Sequence, residues 1–321
     1  MSEGLSRLFD GRPLFLAPMA GVNDPAFRGL CKSQGAALTY TEMVSAKGFS
    51  YANPKTLRLL ELTAEEARDA SAAVQVFGHE PAVLSAMAAW LSSEYAGQLA
   101  LIDINMGCPA RKVASKGDGA ALMRNLPLAE AVISAVVAAA AGLPVTVKFR
   151  SGFCANELNA VEFAQMAEAA GAAAVAVHGR TAVQGYTGLA DKSVVAAVRA
   201  AVAIPVIASG DVFTLADADE YFDRYGASAV MIARGAQGRP WVFSGEEPDL
   251  EGRLGFARAH LEGYAALGTR DLSAMRKHLA WYLKGFPEAA KTRAAINSCR
   301  TLADYESLLA AVGEQLKSEL F

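Results

Sequence analysis

Short apolar runs recur along the chain. Each is followed by a polar or glycine-rich segment and then by an alanine-rich stretch. The runs are 14–17, 38–41, 73–77, 101–105, 144–148, 173–178, 205–208 and 229–233. Unbroken apolar runs of this length are the pattern of parallel strands covered on both faces. The stretches 81–95, 128–141, 160–170 and 193–201 between them carry helical spacing. Eight such units predict an α/β chain built as a (β/α)₈ TIM barrel. An open doubly wound sheet is the rival. The barrel is favoured because polar residues gather at the C-terminal end of nearly every run, where barrels place their chemistry.

After Trp241 the pattern changes. Residues 245–250 are acidic, with Gly and Pro, and read as a linker. Residues 253–267, 272–284, 288–297 and 305–316 then read as helices, one opened by Pro287. The predicted organisation is a barrel over 1–244 and a small all-helical C-terminal domain over 245–321.

Composition sharpens this picture. Of 321 residues 53% are hydrophobic and 20% charged, enough apolar surface for a large core and too much for wholesale disorder. The net charge of −3 argues against a protein that coats nucleic acid or an anionic membrane with its whole surface. Within 258–300, however, eight Lys or Arg face three Asp or Glu, a local +5. A solvated helical face explains that as a matter of course; a surface for a polyanion is the sharper reading. Cys31, Cys108, Cys154 and Cys299 lie far apart with no C-x-x-C pair, so neither a disulfide scaffold nor a metal site is expected. Residues 1–13 lack the apolar core of a signal peptide, and the uncharged run 131–147 contains Gly142 and Pro144. A monomeric cytoplasmic protein with no membrane partner is the expectation.

Several residues at the strand ends have chemical potential. Ser209-Gly210-Asp211 and Arg234-Gly235 follow the last two runs, where many barrels hold a phosphate on backbone N–H groups. Two ordinary turns are the alternative. Cys108 sits in Asn105-Met106-Gly107-Cys108-Pro109, a turn at the barrel mouth that suits a nucleophile or general acid. A small buried hydrophobe is the alternative there. Lys148 closes the fifth run, two positions from Arg150; an unpaired buried ammonium is costly, so it should meet an anion or an electron-rich ring. His178 ends the sixth run beside it. Gln75 can donate and accept at once, which suits an amide-like heterocycle. His79, His260 and His278 have no partner by spacing and read as surface or packing residues.

Taken in order, 17–21 (APMAG), 75–78 (QVFG), 105–109 (NMGCP), 146–150 (TVKFR), 178–180 (HGR), 236–241 (AQGRPW) and 276–282 (RKHLAWY) resemble the tRNA-dihydrouridine synthase family, in its bacterial form. The similarity runs from about Leu14 to Asn297. Any one motif is weak, but their order along one barrel is specific. The resemblance implies an FMN-binding barrel followed by a tRNA-binding helical domain. It implies that NADPH reduces the flavin, which then reduces the C5–C6 bond of a uridine. Carried over by position, Cys108 is the general acid for C5. Pro18, Met19 and Ala20 line the flavin, Gln75 and Lys148 contact its ring, and His178 lies near it. Ser209, Gly210, Asp211, Ala233 and Arg234 hold its phosphate end. Asn105, Arg111, Lys112, Lys116 and Arg180 are expected to meet the substrate at the mouth, and Arg276, Lys277, Lys284 and Arg293 to meet it in the tail. Three positions depart from the family pattern: Ser209 where Asn is usual, Asp118 where a small residue is usual, and Ala233 where Gly is usual. The first puts the Ser209 side chain in doubt as a ligand.

Two rivals remain at this point. One is an FMN barrel acting on a free pyrimidine, as a dihydroorotate dehydrogenase does. The other is a tRNA-binding folding factor that performs no chemistry. The basic tail speaks against the first, and Cys108 together with Lys148 against the second.

Overall fold

A computed structural model describes residues 3–268 and 270–319 of the chain. All eight apolar runs become strands: β1 (Leu14–Leu16), β2 (Leu38–Tyr40), β3 (Ala72–Phe77), β4 (Leu101–Asn105), β5 (Val145–Arg150), β6 (Ala174–His178), β7 (Val206–Ser209) and β8 (Ala229–Ile232). Each pairs in parallel with its sequence neighbours, and β1 also pairs with β8, so the sheet closes on itself. The doubly wound alternative is therefore excluded. Helices Pro81–Glu94, Leu126–Ala139, Ala160–Ala169 and Ser193–Ala201 lie within about two residues of their sequence-based bounds.

One short element has no counterpart in the apolar pattern. Val44–Ser45 pairs with β3 just beyond β2. Tyr40 faces Ala73 and Val44 faces Val76, so four residues on one side advance against three on the other. The extra residue makes a bulge over 41–43 and turns Met43 into the barrel mouth.

Strand alternation divides the core. Outward-facing residues pack under the helices, while Phe15, Leu38, Tyr40, Leu101, Ile207 and Met231 fill the barrel interior with several alanines. The next inward positions, nearer the mouth, are Gln75, Asp103 and Thr146, all buried and polar. The floor of the mouth is therefore a layer of hydrogen-bonding groups.

Beyond the barrel, Leu250–Ala266, Met275–Tyr282, Ala289–Ser298 and Leu302–Glu319 surround an apolar cluster of their own, centred on Trp241, Leu254, Leu279 and Tyr305. This bundle docks on the first barrel helix, Pro25–Ser33. Asp24 caps that helix by accepting from Phe27 N–H at 3.0 Å, and it also meets His260 Nε2 at 3.1 Å and His278 Nε2 at 3.6 Å. Phe27 stacks on His260 with ring centroids 5.6 Å apart. The two histidines are thus packing residues, as expected, but they do have a partner. It lies on the barrel, too far along the chain for spacing to reveal. His79 likewise meets Asp118 at 2.7 Å. Among the described residues no helix is long and apolar enough to cross a membrane.

Candidate active site at the barrel mouth

The C-terminal strand ends open into a cavity of about 660 Å³, within the range of cofactor and ligand pockets. All eleven residues expected to hold the cofactor line it, and so do Asn105 and Cys108. One wall is apolar, formed by Ala17, Pro18, Met19 and Val22. Polar side chains also line it: Gln75, Asn105, Lys148, Arg150 and His178.

The turn bearing Cys108 is built by its neighbours. Asn105 Oδ1 accepts from the N–H groups of Gly107 at 3.2 Å and Cys108 at 2.9 Å. A Cβ on Gly107 would stand 3.2 Å from the Phe149 backbone, so only glycine lets the turn lie this close to β5. Arg150 clamps it from the side, donating to the carbonyls of Gly107 at 2.8 Å, Thr181 at 2.9 Å and Gly185 at 2.8 Å. Cys108 itself is partly exposed to the cavity and free.

Three ionisable groups around this turn are shifted by their surroundings. Burial, with the nearby Arg150 charge, pulls Lys148 down to about 8, while Asp103 and Cys108 pull the other way. Lys148 therefore stays mostly protonated at neutral pH, but only narrowly. Burial and then the charges of Lys148, Arg150, Arg180 and Arg234 push His178 down to about 2, so its imidazole is neutral. Burial would raise Asp211, but the Ala190 N–H, the Arg180 guanidinium and Arg234 outweigh it and hold the carboxyl below its ordinary value.

Asp211 is the hub of the far end. It accepts from Arg180 Nη2 at 2.7 Å, Ala190 N at 2.8 Å and Arg234 Nη2 at 2.9 Å. Its own backbone takes φ +50°, next to Gly210 at φ +124°. A Cβ on Gly210 would lie 2.9 Å from His178 Cδ2, and one on Gly235 only 2.3 Å from the Val212 carbonyl oxygen. The two phosphate-type loops are therefore pressed together as glycine alone allows. Arg180 is 2% exposed and also donates to the Thr187 and Gly188 carbonyls. It stands behind the cavity wall and holds Asp211. Arg234 remains half-exposed at the cavity edge.

Arg111 and Lys112 sit on a one-turn helix, Arg111–Ala114, beside the cavity, and Lys116 follows; all three are exposed. In the tail, Lys284 and Arg293 are exposed, and Arg276 donates to the Cys299 carbonyl at 3.1 Å. Lys277 reaches back to the loop after β1, where a Cβ on Gly21 would be 3.7 Å from its Nζ. There it lines a smaller cavity of about 120 Å³ with Glu42, Arg58 and Arg270. Cationic side chains thus stand both beside the mouth and in the tail, with the carboxylates of Asp24 and Glu42 near Lys277.

Sequence reasoning passed over Tyr186 and Phe213 on the cavity rim. Tyr186 is 59% exposed and lies under the Arg234 guanidinium, 5.1 Å from ring centroid to carbon. Exposed aromatic side chains in the loops after β6 and β7 were the available signal.

A family model described as dihydrouridine synthase matches residues 15–319. The chain belongs to this family. Among curated dihydrouridine synthases, a probable tRNA-dihydrouridine synthase of Rhodobacter capsulatus is 41% identical, over 94% of this chain and 96% of its own. The tRNA-dihydrouridine synthase B of Xanthomonas axonopodis pv. citri is 40% identical, over 90% of this chain and 89% of its own. Among solved structures, histamine dehydrogenase from a Rhizobium species superposes with a TM-score of 0.52 at 12% identity, over 85% of this chain and 52% of its own. That likeness speaks to the barrel fold alone. The family match spans both the barrel and the helical tail, as the sequence motifs did.

Proposed function

We propose that this dihydrouridine synthase reduces uridines in tRNA to dihydrouridine, with FMN as its resident cofactor, NADPH as reductant and Cys108 as general acid. The observation that carries the reading is the cavity itself. It combines an apolar wall, an amide and a lysine at the floor, an arginine at the far end, and a free thiol on a braced turn.

These residues fit FMN. The 18–20 segment would take the apolar face of the isoalloxazine, and Gln75 and Lys148 would meet its polar edge. Ser209, Gly210, Asp211, Ala233 and Arg234 would hold the phosphate end. Asp211 is tolerable beside a phosphate because Arg180 and Arg234 neutralise it. When bound and reduced, FMN supplies the hydride for uridine C6. The chain's own groups do the rest. Lys148 would place positive charge beside the ring, where negative charge accumulates on reduction. Neutral His178 fills space and accepts without adding a second charge. The Cys108 thiol holds the proton for C5. Asn105 and Arg150 fix the turn that carries it. A uridine stacked within tRNA must swing out to reach this depth, and the cations beside the mouth and in the tail suit the flanking phosphates. Those cations favour tRNA over a free pyrimidine, which needs no such surface.

Purified protein should be yellow and release FMN on denaturation; a colourless protein that cannot be reconstituted would remove the cofactor claim. Gly235→Ala should push the β7 and β8 loops apart and weaken FMN retention about tenfold or more, roughly 1.4 kcal/mol, with the far-ultraviolet spectrum unchanged. Titration of released against bound flavin fluorescence measures this. Without flavin, Lys148 loses its proton as pH rises through about 8, so the affinity for FMN should decline above that pH. Lys148→Arg should shift that decline upward, and an unmoved pH profile would assign it to another group.

A further inference from the structure

Beneath the cavity floor lies a carboxylate that the proposed chemistry does not use. Asp103 is fully buried in the middle of β4. Its neighbours across the sheet are Gln75 on β3 and Thr146 on β5. Asp103 Oδ2 accepts from Gln75 Nε2 at 2.6 Å, and Oδ1 from the Thr146 hydroxyl at 2.6 Å. Gln75 Oε1 in turn accepts from Asn105 Nδ2 at 2.8 Å. Asn105 Oδ1 then accepts from the backbone N–H groups of Gly107 and Cys108.

Each link in this chain is directional. A side-chain amide can turn over and exchange its oxygen for its NH₂, and a buried site must specify which way it points. An ionised carboxylate only accepts, so Asp103 forces Gln75 to present NH₂ downward and oxygen sideways. That oxygen forces Asn105 to turn its NH₂ inward, which leaves the Asn105 oxygen for the Cys108 turn. If Gln75 were reversed, Asn105 would reverse with it, and an NH₂ group would oppose the two N–H donors of the turn. Other charged or titratable groups near Asp103 are Lys148 and Tyr40. Burial raises Asp103 to about 6, against the pull of Gln75, Thr146 and Lys148. The fold therefore keeps an ionised group where a neutral one is easier to bury. What the network takes from Asp103 is acceptance at both oxygens, which sets the direction of each link.

We propose that Asp103 is a positioning residue that sets the amide orientations of Gln75 and Asn105, and through them the geometry of the Cys108 turn. This rests on the reading of Cys108 as the reacting thiol.

The test compares Asp103→Leu with Asp103→Asn, both similar in shape to the native side chain. Asp103→Asn keeps an oxygen for Gln75 and can turn its NH₂ to the Thr146 hydroxyl, which is able to accept; it preserves direction without charge. Asp103→Leu preserves neither. Two readouts apply to the full-length holoprotein: dihydrouridine formed in tRNA, and the rate at which iodoacetamide alkylates Cys108, followed by peptide mass spectrometry. Asp103→Leu should lose about tenfold to a hundredfold in turnover, as removal of an outer hydrogen-bond partner commonly does. Its alkylation rate should change at least about threefold (roughly 0.65 kcal/mol), measured on folded, flavin-loaded protein, since unpairing Gln75 and Thr146 lowers the melting temperature by itself. Asp103→Asn should stay within about threefold of wild type in both readouts. Should Asp103→Leu not fold, Asp103→Ser carries the same expectation, because a hydroxyl does not dictate direction. Leu or Ser variants that match wild type would overturn the proposal. So would an Asn variant as impaired as the Leu variant, or losses that track flavin release. Alkylation needs no substrate, so a wild-type protein that fails to reduce tRNA would sink the functional reading while this readout still decides the positioning role.

Discussion

Cys108→Ala should lower the rate of dihydrouridine formation by about 10²- to 10⁴-fold, the usual contribution of a positioned general acid, while flavin content stays at the wild-type level. The structural basis is the separation of two jobs. FMN contacts are assigned to residues on or just after β1, β3, β5, β6, β7 and β8, whereas Cys108 lies on the turn after β4. The turn is braced by Asn105 and Arg150, and neither brace uses the Cys108 side chain. Removing the sulfur thus deletes the proton source and little else. Single-turnover mixing of photoreduced protein with tRNA isolates the step, since it bypasses NADPH. A wild-type single-turnover rate in Cys108→Ala would mean that another group delivers the proton.

The second large effect is expected in the tail. Replacing Lys277, Lys284 and Arg293 together by Ala should weaken tRNA binding by one to several orders of magnitude at low salt. The slope of log affinity against log salt should become shallower by about 2–3, given roughly 0.7–0.9 counterions released per phosphate contact. Free uridine, which reaches no phosphate path, should be unaffected. Lys277 lies against Gly21 in the loop after β1, so its single replacement should carry the largest share. Deleting the whole tail is a poorer test. It would expose Phe27 and strip Asp24 of both histidine partners, confounding binding with folding.

Much of this architecture was legible in the chain. Strands covered on both faces leave unbroken apolar runs, so all eight barrel strands were visible. The residues at their ends proved to share one cavity because parallel closure brings every C-terminal end to the same side. What stayed hidden depends on pairings across sequence distance. Asp24 with His260 and His278 is invisible to spacing, because the partners lie in different structural layers. Arg180 and Asp211 looked like independent ligands; in space they bind one another, and Asp211 serves as a counter-charge that aims Arg234. Asp103 left a trace that was not used, a carboxylate in the centre of the apolar run Leu101–Asn105. The bulge at 41–43 left none, since its register is fixed only against β3.

The most direct test is mass spectrometry of unmodified tRNA after incubation with FMN-loaded protein and NADPH. Our account predicts that specific uridines gain two hydrogens, one from flavin and one through Cys108, and that Cys108→Ala leaves those positions as uridine. Oxidation of NADPH and reduction of the flavin with no dihydrouridine in the tRNA would contradict it.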